Sequence, residues 1–276
     1  MRVLVTNDDG VAAVGIHRLA AAVSAAGHDV VVAAPLADMS GSGAAIGRLH
    51  VDEHIEVEAY EIPGLAHVPT YGVDGPPALA VLASRLGGFG APCDVVVSGV
   101  NPGANTGRAT LHSGTVGAAL TAANFGVSGL AVSLVGGEPM QWDTATALAT
   151  AALEWLAEAA PKTVLNLNVP DAPLDALAGV RWAALAPFGT VRAAIAESDL
   201  PAGAAGGTLG RLQMELRETG ETLPPDSDTA LVLAGYAALT RLVGIRAVEA
   251  DASTGDVGMR PDVVAHLERA LPARSA

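Results

Sequence analysis

A chain of 276 residues is long enough to bury a substantial core, as one α/β domain or as one domain with an appendage. Apolar residues make up 50% but aromatics only 3%, so the core has to be built from Ala, Val and Leu in closely approaching layers. The single cysteine, Cys93, excludes an intramolecular disulfide and a cysteine-based zinc cluster. Lys and Arg number 15 against 29 Asp and Glu, giving a formal charge of −14 without any basic cluster, which argues against a nucleic-acid polymer as partner.

Arg2–Thr6 reads as a strand that begins at once, with no charged and apolar leader before it, so a cytoplasmic protein is expected. Val14–Ala26 follows as a helix stopped by Gly27, and His28–Ala34 as a second strand with Val30, Val31 and Val32 in an unbroken run. Such runs mark strands covered on both faces, hence a parallel sheet. Ile55, Val57 and Ala59 alternate with Glu56 and Glu58, which predicts a half-exposed, antiparallel excursion. Pro76–Leu86 reads as a helix opened by prolines, and Asp94–Ser98 as another buried strand beside a core Cys93.

The Gly-rich stretch GVNPGANTG then leads to a helix at Ser113–Asn124, a strand at Leu130–Leu134, a long helix at Trp142–Ala159 and a strand at Thr163–Asn168. Residues Ala109 to Gly137 contain no Asp, Glu, Lys or Arg and match a membrane span in length. Asn124, the glycines and the Ser/Thr residues divide that stretch into helix, turn and strand, so no membrane is expected. Repeated βα units with right-handed crossovers predict a three-layer, Rossmann-like, mostly parallel doubly wound sheet. Beyond Pro170 the pattern weakens: residues 200–228 read as a loop or extended arm, followed by TALVLAGYAALTRL and a closing helix from Pro261. The predicted organisation is a metal- and phosphate-binding core over 1–185 and a C-terminal hairpin or arm over 186–276, which mediates assembly and returns partly to the core.

Three predicted strands empty oxygen-bearing loops onto one rim: Thr6 into Asn7-Asp8-Asp9-Gly10, Ala34 into PLADMSGSG, and Ser98 into Gly99-Val100-Asn101. Asp8 and Asp9 repel each other unless a cation joins them, and Ser or Asn oxygens from the neighbouring loops complete a hard donor set suited to Mg²⁺, Mn²⁺ or Ca²⁺. The competing reading of the two aspartates is a turn, or a cap on the next helix. In HSGTVGAA, Ser113, Gly114 and Thr115 open a helix whose free N–H groups and hydroxyls suit an oxyanion such as a phosphoryl group, or else Ser113 is a plain N-cap. Asn101 and Asn105 serve either the site or a tight turn.

VTNDDG with Gly15-Ile16, the Ser-Gly loop after the second strand, VVSGVNPGANTG, HSGTVGAA and LNLNVP occur in register. Together they resemble the SurE (stationary-phase survival protein) family of nucleotidases, and DSDTALVLAGYAALT is similar to that family's closing strand segment. The resemblance implies a metal-dependent phosphatase of nucleoside monophosphates, with a Rossmann-like core and a C-terminal extension that makes a homodimer or homotetramer. It also implies one divalent ion per subunit on Asp8, Asp9, Ser40 and Asn101, with Ser42 the alternative loop serine.

On this reading Asp8, Asp9, Asn101 and Ser113 are catalytic, with Asp9 orienting or deprotonating the water, and Asn105, Ser113, Gly114 and Thr115 bind substrate. His112 is a general acid or a solvent-facing histidine. The chain departs from the family at GPPALA, from Gly75, where a GTPAD-type element is usual, and in GTLGRLQMEL, which has no Tyr or Trp. A small phosphorylated metabolite other than a nucleotide, or a non-catalytic binding role, is therefore the alternative. A dinucleotide-dependent oxidoreductase fails: Gly41-x-Gly43-x-x-x-Gly47 has the wrong spacing and leads toward a strand.

Overall fold

In chain order the elements are β1 (Arg2–Thr6), α1 (Val14–Ala25), β2 (Asp29–Pro35), β3 (Val57–Tyr60), β4 (Thr70–Val73), α2 (Pro77–Arg85), β5 (Val95–Pro102), α3 (Gly114–Asn124), β6 (Ser128–Val135), α4 (Trp142–Glu158), β7 (Val164–Pro170), β8 (Gly179–Trp182), β9 (Val191–Ser198), β10 (Leu212–Glu218), α5 (Asp228–Leu233) and β11 (Tyr236–Leu242). Short 3-10 turns lie at Gly107–Leu111 and Leu174–Ala176. The computed structural model describes residues 1–47, 54–187, 191–198, 210, 212–218 and 220–246. Met1–Gly244 form one compact unit. The predicted closing helix from Pro261 lies outside the described residues.

Nine strands form one sheet in the order β3-β4-β2-β1-β5-β6-β7-β11-β8. The six from β4 to β7 run parallel, β3 and β11 are antiparallel to their inner neighbours, and β8 pairs parallel to β11. This confirms the doubly wound α/β reading. From β1 the chain winds first to β2 and β4, then crosses to β5, so strand order reverses between β1 and β5. Ligand sites of open α/β sheets lie beyond such a point, at the carboxyl ends of the strands.

The valine runs explain the layering. Within β1, Val3 and Val5 face one way, into a cluster with Ile16, Leu19 and Val23 of α1 and Ala145, Ala149 and Leu153 of α4. Leu4 faces the other way and joins Val31 and Val96 against Leu79 and Val81 of α2 and Ala118 and Ala122 of α3. Alternate side chains of one strand thus enter two different cores, and burying each full Val or Leu contributes roughly 1.5–3 kcal/mol. With aromatics scarce, Ala on α3 and α4 lets these helices lie close to the sheet.

The segment TYGV forms β4, a strand too short and too interrupted by Gly72 to show a period in the sequence. All four residues of β3 are exposed, beyond the half-exposure expected of that excursion. β5 runs on through the Gly-rich stretch to Pro102, with a register irregularity between Ser98 and Asn101. TALVLAGYAALTRL divides into α5 and β11, and the 200–228 region contributes β10, which pairs with β9 as a separate antiparallel hairpin. Among the described residues no helix is long and apolar enough to cross a membrane, so the stretch from Ala109 to Gly137 resolves into a turn, α3 and β6.

Candidate active site

β1 delivers Thr6, Asn7 and Asp8 to the switch point as fully or nearly fully buried residues, at 0%, 0% and 3% exposure. The Asn7 Nδ2 group donates to Gly10 O at 3.0 Å and closes the turn that carries the two aspartates. Neither aspartate caps the next helix: α1 starts at Val14 with Ala13 as its N-cap and no side-chain cap hydrogen bond. The capping explanation of the acidic pair therefore does not apply here.

Asp8 and Asp9 have different surroundings. The Thr115 hydroxyl donates to Asp8 Oδ1 at 2.5 Å, across 107 residues of sequence. Thr115, expected on the oxyanion, instead fixes a carboxylate. Asp9 Oδ2 is buried without a hydrogen-bond partner, and its carboxyl is pushed up to about 7, first by burial and then by the charges of Asp8 and Asp38. The ion pairs among the described residues, Arg2 with Asp29 and Arg18 with Asp143, involve neither aspartate.

The loop after β2 is folded over this pair. Met39 N–H donates to Asp8 O at 2.7 Å, and Gly43 N–H donates to His112 O at 3.1 Å. Gly117 lies so close that a Cβ there would stand 2.1 Å from Gly43 O, and one on Gly114 would stand 2.6 Å from Ser42 Oγ and 2.8 Å from Asp8 Oδ2. Glycine at both positions is what lets the loop and Asp8 reach the start of α3. Within that loop the two serines part company. Ser40 is exposed and its Oγ donates to Asp38 Oδ1 at 2.6 Å, whereas Ser42 Oγ is buried, has no partner and faces Gly114 beside Asp8.

Ser113 is the N-cap of α3, its Oγ accepting Val116 N–H at 3.1 Å. The hydroxyl retains its own proton to donate, and Gly114 and Thr115 occupy the first turn, where backbone N–H groups lack helical partners. Asn101 lies three residues past Ser98, the partner of Thr6 in the β1–β5 ladder. Its Nδ2 donates to Gly103 O at 2.9 Å, which leaves Oδ1 as the ligand-type atom. Asn105 is drawn inward: Ser133 Oγ accepts from its Nδ2 at 2.9 Å, Asn168 Oδ1 accepts from its N–H at 2.8 Å, and its carbonyl accepts from Asn166 and Asn168. The donors of Asn105 thus hold the loop to β6 and β7. His112 is exposed.

Asn166 and Asn168 were visible in LNLNVP as a period-two pair on one face of β7, but nothing local predicted what they hold. Thr6 Oγ1, Asn7 Oδ1 and Ser98 Oγ are also buried without partners; with Asp9 Oδ2 and Ser42 Oγ they belong to the paired residues Thr6 and Ser98 of β1 and β5 and to the loops that follow β1 and β2. Among the described residues no group of three or more His, Cys, Asp or Glu could hold a metal. A cation here would take two carboxylates plus hydroxyl and amide oxygens. That donor set, with crowded negative charge and oxygens without partners, fits a hard divalent ion and does not fit zinc or copper.

A family model described as survival protein SurE matches residues 3–190, ending just before β9. A 5'-nucleotidase SurE from Legionella pneumophila subsp. pneumophila (strain Philadelphia 1) is 39% identical over 183 residues, 66% of this chain and 68% of that protein. One from Geobacter metallireducens is 41% identical over 182 residues, 65% and 68% of the two chains. A third, from Stenotrophomonas maltophilia (strain K279a), is 38% identical over 206 residues, 72% and 75%. Among solved structures, the SurE protein from Aquifex aeolicus superposes with a TM-score of 0.69 at 26% identity, covering 88% of this chain and 93% of its own.

Proposed function

The chain belongs to the SurE family, and on that premise we propose that it is a divalent-metal-dependent phosphomonoesterase acting on nucleoside monophosphates. The observation that carries the reading is the adjacent pair at the β1–β5 switch point, Asp8 buried and Asp9 half-buried with its Oδ2 enclosed and unpartnered, both free of any capping duty. Similar proteins named 5'-nucleotidase support the substrate class.

Asp8, Asp9 and Asn101 Oδ1 would hold one ion per subunit, Mg²⁺, Mn²⁺ or Ca²⁺, together with Ser40 or Ser42; the buried hydroxyl of Ser42 supports the latter. When bound, such an ion offsets phosphoryl charge and lowers the pKa of water. Thr115 locks the Asp8 carboxylate in a single orientation. The N–H groups of Gly114 and Thr115 and the Ser113 hydroxyl receive the phosphoryl oxygens at the start of α3, where the helix dipole adds to the attraction. Asp9, ionised once a cation offsets the charge of Asp8, would orient or deprotonate the attacking water. His112, exposed beside the oxyanion site, is at most a proton donor to the leaving oxygen.

A second reading, a phosphorylated metabolite in place of a nucleotide, is favoured by the entry to α2, where Pro76 is an N-cap without a side-chain hydrogen bond. Residues 1–185 form the catalytic core in this proposal, and 186–276 a C-terminal extension that assembles a homodimer or homotetramer. An isolated two-stranded ribbon such as β9–β10 is marginal in water, which supports a second copy as its support. A cytoplasmic setting is consistent with one buried, unpaired cysteine.

The test is hydrolysis of nucleoside monophosphates and of p-nitrophenyl phosphate, with and without EDTA. Activity that is lost to EDTA and restored by Mg²⁺ or Mn²⁺ supports the enzyme. Absence of turnover with every metal and across a panel of phosphorylated metabolites would leave a binding protein instead.

A further inference from the structure

Asp228 is a fully buried carboxylate, at 0% exposure, to which the proposed reaction gives no task. Its oxygens are met by backbone amides: Gly107 N–H donates to Oδ2 at 2.8 Å, and Ala186 and Thr229 N–H donate to Oδ1 at 3.0 and 2.8 Å. An uncompensated carboxylate is costly to bury, and charge-assisted bonds of this kind are what make it tolerable. Capping of α5 does not account for the arrangement, because Ser227 already fills that role by accepting Ala230 N–H. Two of the three amides come from far away, 121 and 42 residues distant in sequence.

Gly107 opens the 3-10 turn that leads directly into the oxyanion end of α3. A continuous path of hydrogen bonds follows that turn. Asp228 holds the Gly107 amide, the Gly107 carbonyl accepts from Thr110 Oγ1 at 2.8 Å, and the Thr110 carbonyl accepts from the Ser113 amide at 3.4 Å. On the other side of Gly107, Asn105 is clamped by Asn166 and Asn168 of β7. The segment that presents Ser113 and Gly114 is therefore anchored from two directions, and one anchor lies on the C-terminal side of the β9–β10 hairpin.

We propose that Asp228 is a positioning residue for phosphate binding: through Gly107 and Thr110 it fixes where the N-terminus of α3 meets the phosphoryl oxygens. This rests on the phosphatase reading above. Asp228 touches neither substrate nor metal ligands, so its effect is on the fit of the oxyanion and not on the cation. It also gives the C-terminal part of the chain a direct hold on the site.

The test is Asp228→Asn, which keeps the shape but turns an N–H toward a backbone amide and so loses one long-range anchor. Inhibition by inorganic phosphate, KM for p-nitrophenyl phosphate, Mn²⁺ affinity by calorimetry and Tm are compared with wild type. The expected result is a rise of about tenfold in both KM and the phosphate inhibition constant, with Mn²⁺ affinity within about twofold of wild type. Ser227→Ala loosens the same helix without touching Gly107, and should lower Tm while leaving phosphate inhibition unchanged.

Wild-type phosphate inhibition in Asp228→Asn, whatever its Tm, overturns the proposal, as does an equal change in Ser227→Ala. If Asp228→Asn does not fold, Asp228→Glu is measured instead. Its extra methylene prevents both distant amides from being met at the native spacing, and phosphate inhibition must weaken in it too. Should wild type itself neither hydrolyse phosphomonoesters nor bind phosphate with metal present, the phosphatase reading fails, an outcome distinct from an active enzyme indifferent to residue 228.

Discussion

Replacing Asp9 by Asn should make the metal-free protein more stable, and more so as pH rises. Burial and the charges of Asp8 and Asp38 raise the Asp9 carboxyl from about 3.8 to about 7 in the folded state. The folded state therefore holds a proton that the unfolded chain has already released. Folding is favoured in this respect below about pH 4, and that advantage is lost as pH climbs through 7, where the folded state has to carry the ionised group. A displacement of this size corresponds to at most about 4 kcal/mol, and with part of the carboxyl reachable by solvent roughly 1–2 kcal/mol is the realistic expectation. Asn has the same shape and no charge, so the stability difference between Asp9→Asn and wild type should be near zero at pH 4 and grow to that size by pH 8. Urea unfolding in EDTA at several pH values measures it, titrating groups remote from residue 9 cancelling in the difference while Asp8 and Asp38, coupled to Asp9, respond with it. Saturating Mn²⁺ should then reverse the order, because wild type gains binding free energy that the variant lacks, about 2.7 kcal/mol at a hundred times Kd. A difference that stays flat between pH 4 and pH 8 would refute the argument that Asp9 is a crowded, uncompensated carboxylate.

Asp8→Asn should abolish turnover, by a factor of about 10³ or more, while the protein still folds; near-full activity with added Mg²⁺ or Mn²⁺ would remove Asp8 from the site. Thr115→Val deletes the hydroxyl that orients Asp8, and a loss of about 10- to 100-fold in kcat is expected together with weaker Mn²⁺ binding by calorimetry. The two loop serines should separate cleanly: Ser42→Ala is expected to weaken Mn²⁺ binding about tenfold and Ser40→Ala less than threefold, and the reverse order would restore Ser40 as the loop ligand. Gly114→Ala places a methyl 2.6 Å from Ser42 Oγ and 2.8 Å from Asp8 Oδ2, so metal affinity and Tm should fall together, which parallel calorimetry and thermal melts would show.

What could be read from the sequence was whatever is local. The valine runs and the glycine and proline stops placed β1, α1, β2, α3 and α4 within a residue or two, since periodicity and end signals act over one element. The strand β4 was not legible, because four residues around Gly72 show no period and only pairing with β2 and β3 defines them. The same division holds in the site. Asp8, Asp9, Asn101 and HSGTVGAA stand out as motifs, but the difference between Ser40 and Ser42 depends on which hydroxyl the folded loop brings to Gly114. Thr115 read as a phosphate donor because a helix N-terminus suggests it, yet its hydroxyl goes to a carboxylate 107 residues earlier. That Asp8 and Asp9 do not cap α1 follows from where the helix begins, at Val14, a boundary that sequence signals set only loosely.

These long-range bonds bear on how an acidic chain can take an anionic substrate. The formal charge is −14, and the donors at the start of α3 are neutral amides and a hydroxyl, so these donors carry no positive side chain to offset a phosphoryl group beside two aspartates. On the proposed reading a cation between them would resolve the repulsion on both sides at once, and binding of metal and phosphate would then be a coupled event with its free energy shared between the two ligands. The protein's part is then mainly geometric: Thr115 fixes Asp8, the β7 asparagines and Asp228 fix the loop into α3, and Gly114 and Gly117 allow the β2 loop to close over them. Rigid neutral scaffolding around a charged pair suits a site that recognises the phosphoryl head alone. On the proposed reading, discrimination between leaving groups would then fall to the rim, where the α2 entry at Gly75-Pro76-Pro77 carries prolines and no hydroxyl or acid.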